Sequence, residues 1–172
     1  MKRSDLNGML ANQKANIEEV EDIELIDALE KYGKNFLLPE RAKLIQLGDK
    51  VYAPGKWTVK DILQHFIDTE RIQSYRVLRF ARNDKTLLPG FEENEYAATA
   101  NASHRDLNEL LEEFYTVRDS TTRLFKSFSD ETLMKTGKLP SGDISVLAMG
   151  FAITGHAIHH IKVIKEKYYG LL

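Results

Sequence analysis

The sequence predicts an all-α protein, a four-helix bundle in one domain. Four long segments carry apolar residues at the spacing of amphipathic helices, and no segment keeps the apolar–polar alternation that is typical of a strand. Three of the four prolines, Pro54, Pro89 and Pro140, fall between these segments, where they would interrupt helices. The chain of 172 residues has the length of a single domain with a sizeable core.

The first helix is predicted to begin near Asp22. The apolar residues on one of its faces are Leu25, Leu29, Tyr32 and Phe36. Pro39 should kink or break this helix, and residues 40–47 are expected to form a further short helix. The preceding segment is polar, rich in asparagine and weakly periodic. We therefore expect residues 1–20 to form a polar, frayed N-terminal arm and residues 21–172 to form the bundle domain.

The second helix is predicted to open at Thr58. Asp61, three residues later, completes an arrangement like a capping box, with a shorter acid than the usual glutamate. The helical pattern fades near Asn83. Residues 87–96, which include a Pro-Gly pair and several acidic residues, are expected to form a loop.

The third helix also has a recognisable N-terminal signal. Ser103, with Asp106 three residues later, marks the predicted start of the third helix. A polar linker that includes residues 138–143 follows it. The fourth helix should run from near Ser145 to about Tyr169, and it is apolar on most of its sides. We therefore expect the fourth helix to be the most buried element.

Composition restricts the partners and the location. The formal net charge is -2, which favours neither nucleic acid nor an anionic membrane as a partner. No stretch approaches the length of an apolar membrane span, and the N-terminus does not have the apolar core of a signal peptide. The absence of cysteine excludes disulfides and thiolate nucleophiles of the chain itself. The expected location is the cytoplasm.

Three histidines are candidates for a shared metal site. His156 and His160 are four residues apart in the fourth predicted helix, so both imidazoles leave one face, one turn apart. His65 lies beside the apolar face of the second helix. It would complete the three-ligand arrangement with an open position that is typical of catalytic zinc. Three polar rings in an apolar bundle are also better satisfied around one divalent cation than separately.

Three other interpretations of the histidines are an ordinary structural role, a di-iron centre and the zinc motif of proteases. Histidines four apart also occur as surface or core residues that make ordinary hydrogen bonds. A di-iron bundle would need glutamate three residues before a histidine, and none of the five histidines has one. Ala157 follows His156, so the H-E-x-x-H motif of zinc proteases is absent. His159 is expected to orient a ligand or to reach solvent at the helix edge, and His104 is expected at the surface.

The ordered set of motifs resembles the DinB-like (YfiT-like) family of metal-dependent proteins, part of the DinB superfamily. The resemblance extends over about residues 22–169, nearly the whole chain. The stretches that carry it are APGKWTVKDILQH at 53–65, DTER at 68–71, the arginine-rich helical stretch at 76–82, PGFEE at 89–93 and GHAIHH at 155–160.

This resemblance implies a four-helix bundle with an up-down-down-up arrangement and a long crossover. It also implies one divalent metal ion per chain, zinc or nickel in relatives, held by family histidines that fall on His65, His156 and His160. Relatives are often homodimers. Characterised members of the wider superfamily are transferases or isomerases that use low-molecular-weight thiols. The chain departs from the family at Asn94, where relatives commonly carry an acidic residue.

Two classes of function are consistent with these features. The first is a metalloenzyme that activates a thiol or water for S-transfer or hydrolysis. Since the chain has no cysteine, the thiol would be a low-molecular-weight co-substrate. Glu92, Glu93 and Glu95 are candidates for the base, as are Asp68 and Glu70, although the acidic loop could equally be a solvated turn. The second class is a non-catalytic dimeric module with a structural or regulatory metal.

Overall fold

A computed structural model describes residues 1–7 and 9–172, most of which are helical. The helices, in chain order, are α1 (Ala11–Glu18), α2 (Leu25–Lys31), α3 (Lys34–Leu37), α4 (Arg41–Leu47), α5 (Val59–Ala81), α6 (Glu93–Thr99), α7 (Leu107–Lys126), α8 (Asp130–Leu133) and α9 (Val146–Lys167). The strands β1 (Thr136–Leu139) and β2 (Gly142–Ser145) pair as an antiparallel hairpin. Apart from this hairpin, the predicted helical architecture is confirmed.

The long helices α5 and α7 run parallel to each other. Near one end Arg105, just before α7, donates to Gln64, and further along Ser74 contacts Thr121, so sequence numbers rise together on both helices. Parallel neighbours need a long connection, because the chain must return to the starting end of the bundle. Residues 82–106 form this crossover and contain α6.

The remaining helix pairs are antiparallel. Tyr168 near the end of α9 donates to the Trp57 carbonyl before α5, while His156 lies beside His65 further along. The helices α2 and α7 also run in opposite directions. Glu30 of α2 pairs with Lys126, and Tyr32, just after α2, pairs with Arg118. With α2–α4 as a broken first helix, these directions give the predicted up-down-down-up four-helix bundle.

The capping box predicted at Thr58 is confirmed, and the structure adds a cap at Ser145, near the predicted start of the fourth long helix. Thr58 accepts from the Asp61 amide while the Asp61 carboxylate accepts from the Thr58 amide, which completes the capping box of α5. Ser145 accepts from the Ala148 amide and caps α9. Most residues in the first half of α9 are buried. Among the described residues, no helix combines the length and the apolar character needed to cross a membrane.

The expectation of a frayed N-terminal arm is wrong from Ala11 onwards, because α1 packs on α9 and Ile17 is fully buried. The contact depends on Gly155 of α9, where an added Cβ would lie 1.8 Å from the Asn16 carbonyl oxygen. Only glycine permits this close approach of the two backbones. Gly8 lies outside the described residues. The domain boundary after residue 20 stays a prediction.

Two further expectations about the crossover are corrected. The acidic stretch expected to be a loop contains the start of α6. Ser103 is not the cap of the third long helix, since it lies in a 3₁₀ turn, Ala102–His104. Asp106 is the cap, because its carboxylate accepts from the amides of Asn108 and Glu109.

The polar linker of residues 138–143 is part of the hairpin, so the expectation of no strands is also wrong. Gly142, with φ of 127°, begins the returning strand in a conformation that favours glycine. Gly137 lies against Phe80 of α5, where an added Cβ would approach the phenyl ring to 1.8 Å. The backbone of Gly137 therefore packs directly on the Phe80 ring, and this contact holds the hairpin against the end of α5.

Candidate metal centre

The candidate site lies between two apolar clusters of the bundle. Along α9, Ile153 belongs to one cluster and Ala157 to the other, and His156 lies between them. One turn further, His160 leaves the same face, and α5 presents His65 from the facing side. Because α5 and α9 are direct antiparallel neighbours, these side chains face each other.

The three histidines converge on one point. Each offers a ring nitrogen, and these three atoms all lie within 4.8 Å of one another. The Nε2 atoms of His65 and His156 are 2.8 Å apart. Metal–nitrogen bonds of about 2.1 Å place the nitrogens of a tetrahedral site roughly 3.4 Å apart, which lies within this spread. The donor set therefore fits one divalent ion after small side-chain adjustments.

Neighbouring side chains fix the orientation of the rings. Thr69, one turn after His65 on α5, places its hydroxyl 3.3 Å from His65 Nδ1, which leaves Nε2 directed at the other two histidines. The Trp57 ring packs 5.0 Å from the His65 ring, and Phe66 packs against both His156 and His160. His65 is only 5% exposed. Aromatic rings thus pack around His65, while His156 and His160 remain half-buried.

Burial keeps these imidazoles uncharged. It lowers the pKa of His65 to about 4 and, with smaller repulsion from His65 and His159, that of His160 to about 3. The pKa of His156 is also well below the ordinary value, chiefly through burial and then through repulsion from the other two histidines. Neutral imidazoles at neutral pH have a free lone pair, which is the form that binds metal.

Two pockets border the histidine cluster. The first, which we call the aromatic pocket, has a volume of about 310 Å³ and includes His160, His159, Trp57 and Asn94 in its lining. The second, which we call the amide pocket, has a volume of about 150 Å³ and includes His156 in its lining. A larger pocket of about 350 Å³ between α2 and α7 contains no histidine.

The candidate acids differ in their positions. Glu93 lines the amide pocket, where partial burial and then the charge of Glu92 raise its pKa. All three glutamates of this stretch, Glu92, Glu93 and Glu95, are exposed at the surface. Glu70 is buried in an ion pair with Arg118, and Asp68 accepts from Gln64, so both carboxylates have other partners. Glu93 is the candidate that combines a place at the site with a perturbed pKa. The two remaining histidines are exposed and lie outside the converging set. The ring of His159 is 5.3 Å from that of His160, and His104 lies in the crossover.

Sequence reasoning assigned no role at the site to Thr69 or to the residues of α1 that line the amide pocket. Thr69 has a sequence signal, because it is four residues after His65 and so shares its helix face. The α1 residues have none, since a short polar helix gives no indication of where it docks.

The helical topology and the three converging histidines together define a bundle protein with a candidate metal centre. Residues 45–164 match the model of the DinB superfamily, and the chain belongs to this superfamily. The solved structure of YfiT from Bacillus subtilis is similar in fold, with a TM-score of 0.72 and 18% identity. The match covers 96% of this chain and 91% of that chain. YfiT is described as a probable metal-dependent hydrolase with an unusual four-helix bundle topology. No curated protein matches the chain.

Proposed function

We propose that this protein is a metal-dependent enzyme in which His65, His156 and His160 hold one divalent ion, zinc or nickel. The observation that carries the proposal is the convergence of three neutral imidazoles, one buried and two half-buried, between two pockets. A structural metal would need no pocket, whereas here His160 borders one pocket and His156 the other. Both pockets are large enough for parts of small organic molecules.

Three neutral ligands leave the full charge of a divalent ion available, so the bound ion would lower the pKa of water or of a thiol. The residues of the chain supply the rest. Thr69 holds the His65 ring in place, and the Trp57 and Phe66 rings pack against the imidazoles and restrict their movement. Glu93, whose pKa is raised from its ordinary value by partial burial and then by the charge of Glu92, takes the proton of the nucleophile.

The favoured reaction is thiol transfer. The chain has no cysteine, so the thiol arrives as a low-molecular-weight co-substrate, and the two pockets allow two substrates to meet at the histidines. The thiol sulfur forms a bond to an electrophilic carbon of the second substrate. The bond from that carbon to its leaving group breaks, and the leaving group departs with the electron pair. The thiol proton passes to Glu93 and then to solvent.

Hydrolysis is the second candidate, supported by the description of YfiT. Water would replace the thiol, and Glu93 would again accept a proton. A hydrolase needs one organic substrate, so it leaves the second pocket without a role. For this reason we place thiol transfer first.

The proposal is tested with the cobalt-substituted protein. Titration with a small thiol such as 2-mercaptoethanol should produce a thiolate-to-cobalt charge-transfer band in the near ultraviolet. Transfer of the thiol to 1-chloro-2,4-dinitrobenzene should then be slower by about 10²-fold or more in Glu93→Gln, the typical size of a lost general base. The matched variant Glu95→Gln, altered at an exposed glutamate of the same helix, should keep the wild-type rate.

Other outcomes would redirect the assignment. Cobalt that binds no thiol but supports hydrolysis of activated esters would favour the hydrolase. Cobalt that is fully coordinated by protein groups, with no band and no turnover, would contradict an enzyme and indicate the non-catalytic module.

A further inference from the structure

Arg76 is a buried cation without an acidic partner. It lies in the last third of α5 and is only 7% exposed. Its guanidinium donates to the Pro89 carbonyl of the crossover at 2.5 Å and, at the limiting distance of 3.5 Å, to the Gln73 side chain. Burial lowers its pKa, and no neighbouring acid opposes this shift. Buried charges in proteins are normally compensated, as Glu70 compensates Arg118 here, but the described residues provide no such carboxylate for Arg76.

The Arg76 guanidinium is accessible on one side. Of its five N–H groups, two make these hydrogen bonds, which leaves three without a partner among the described residues. One of the three is at Nε. In the described part of the chain, the polar side-chain atoms that are both unpartnered and fully enclosed belong to Arg3, Gln13 and Tyr115, and not to Arg76. The Arg76 Nε–H is therefore open to a ligand.

Arg76 forms part of the floor of a groove between α5 and the crossover, with a volume of about 290 Å³. Tyr75 and Tyr96 line the same groove and are 54% and 46% exposed, so they form its rim. The Phe91 ring lies 5.8 Å from the guanidinium. Among the described residues, none that lines this groove also lines either pocket beside the histidines, so the groove is a separate cavity. Its apolar lining is completed by Ile72, Leu88 and Pro89.

We propose that this groove binds a small aromatic monocarboxylic acid, whose carboxylate pairs with Arg76 and whose ring lies among the aromatic side chains. The planar guanidinium presents its N–H groups as a fork that matches the two oxygens of a carboxylate. The second arginine of the groove, Arg79, is already paired with Asp84 and donates to Tyr75. One positive charge is therefore uncompensated, which suits a single negative charge better than a dianion such as a phosphate monoester. The proposal does not rest on the metal centre or on the proposed function.

The binding test uses three probes that separate the charge of the ligand from its ring. Benzoate has both, benzamide has the ring without the charge, and acetate has the charge without the ring. Titrations of the zinc-loaded protein are followed by the backbone amide shifts in NMR spectra. Benzoate should bind with a Kd on the order of 1 mM or below, and benzamide and acetate about tenfold or more weakly. The largest shifts are expected at Gly90 and Phe91, which line the groove. His160→Ala should leave the affinity for benzoate unchanged, because the ligand does not need the metal.

A first pair of variants tests the role of the guanidinium. Arg76→Gln should abolish saturable binding of benzoate. Arg82→Gln, which changes an exposed arginine at the end of α5, should keep it. Because Arg76→Gln also alters the contact with Pro89, a second pair of variants leaves Arg76 in place.

The second pair of variants supplies the missing acid from the chain itself. Ile72 lines the groove one turn before Arg76 on α5, so Ile72→Glu places a carboxylate next to the guanidinium. This variant should lose benzoate binding, because its own carboxylate takes the place of the ligand. The matched variant Ile72→Gln has nearly the same side-chain shape without the charge and should keep benzoate binding. Ile72→Glu should also melt about 2–4 °C above Ile72→Gln, since one buried charge has gained a partner.

Several results would overturn the proposal. Absence of saturable benzoate binding to the wild-type protein is one, and equal affinities for benzoate and benzamide are another, because the charge of Arg76 would then have no part in binding. Wild-type affinity in Ile72→Glu would place the ligand elsewhere. An affinity for benzoate that falls when the protein concentration is raised about tenfold would show that a second copy of the chain fills the groove. Equal affinity is expected, because a ligand on the floor leaves the exposed rim free for contact with another copy.

Discussion

At the scale of single residues, the uncharged state of the buried histidines makes the metal-free protein sensitive to acid. Unfolded histidines have a pKa near 6.5, whereas the folded values are about 4 for His65 and about 3 for His160. Between pH 6.5 and about 4 the unfolded chain therefore binds more protons than the folded chain, and the free energy of unfolding decreases as the pH falls.

We expect the metal-free protein to lose stability through this window, on the order of 3 kcal/mol for His65 alone. Urea denaturation between pH 7 and pH 4, after treatment with a chelator, measures the loss. His65→Gln should give a flatter profile than the wild type, because it removes a ring that stays neutral only when folded. His104→Gln, altered at an exposed histidine, should not. Identical profiles for the two variants would contradict the explanation.

Metal binding should depend on each ligand histidine separately. His160→Ala leaves two imidazoles, which hold zinc poorly, so tight divalent binding should be lost. His104→Ala should retain it, because that side chain is exposed and outside the cluster. Metal content after chelation and repletion, measured by mass spectrometry, compares the two. Equal content in both variants would exclude His160 as a ligand.

The histidine cluster was accessible to sequence reasoning because helical geometry makes residues four apart share a face. His156 and His160 follow from that rule directly, and the apolar surroundings of His65 indicated a third inward ring. The pairing of α5 with α9 could not be derived from spacing within either helix and followed only from the hypothesis that the three histidines share one metal ion. Glu93 was one of several equivalent acids until the position of α6 separated it from Glu92.

At the scale of elements, one buried ion pair joins three helices. Arg118 of α7 donates to both oxygens of Glu70 on α5, at 2.8 Å for the shortest contact, and also to the carbonyl of Tyr32 at the end of α2. Both charged side chains are almost fully buried. Because each charge depends on the other for compensation, removal of one partner leaves an isolated buried charge.

We expect Glu70→Ala to lower the free energy of unfolding by about 3–5 kcal/mol, the typical cost of breaking a buried pair. The matched control is Asp119→Ala, which breaks the exposed pair with Arg123 on the same helix α7. That variant should change stability by about 1 kcal/mol or less. Urea denaturation at neutral pH measures both. Equal costs would show that burial does not govern the Glu70–Arg118 pair.

The elements themselves were predictable to different degrees. The start of α5 followed from Thr58 and Asp61, since capping depends on residues a few positions apart. The hairpin was missed because its short strands show no alternation, and because Gly137 is required by Phe80, a residue distant in sequence. The helix α1 was missed for a similar reason: its stability comes from docking on Gly155 and not from its own weak apolar pattern.

At the scale of the whole molecule, we expect a homodimer. A groove of about 290 Å³ includes Tyr75 and Tyr96 in its lining, and these aromatic side chains are 54% and 46% exposed. Exposed aromatic surface of this kind is typical of association sites. Sedimentation velocity at micromolar concentration should give a dimer, and Tyr75→Glu should shift it towards the monomer.

Leu38→Glu is the control for the dimer prediction, since Leu38 is similarly exposed but lies outside the groove. It should sediment as the wild type does. A monomeric wild-type protein would contradict the prediction of a dimer, and equal effects of the two variants would contradict the position of the interface.

The long crossover has a consequence for the order of events during folding. Parallel pairing of α5 with α7 cannot form until the connection of residues 82–106 has closed, which costs chain entropy before the contacts are gained. His65 and His156 are separated by 91 positions, so their meeting closes a still longer loop. A chain that has been synthesised or folded only as far as α7 contains one of the three histidines of the cluster, His65. Metal capture is therefore expected to report the last docking event, that of α9, and a chelating fluorophore in competition with the protein would time the completion of the bundle.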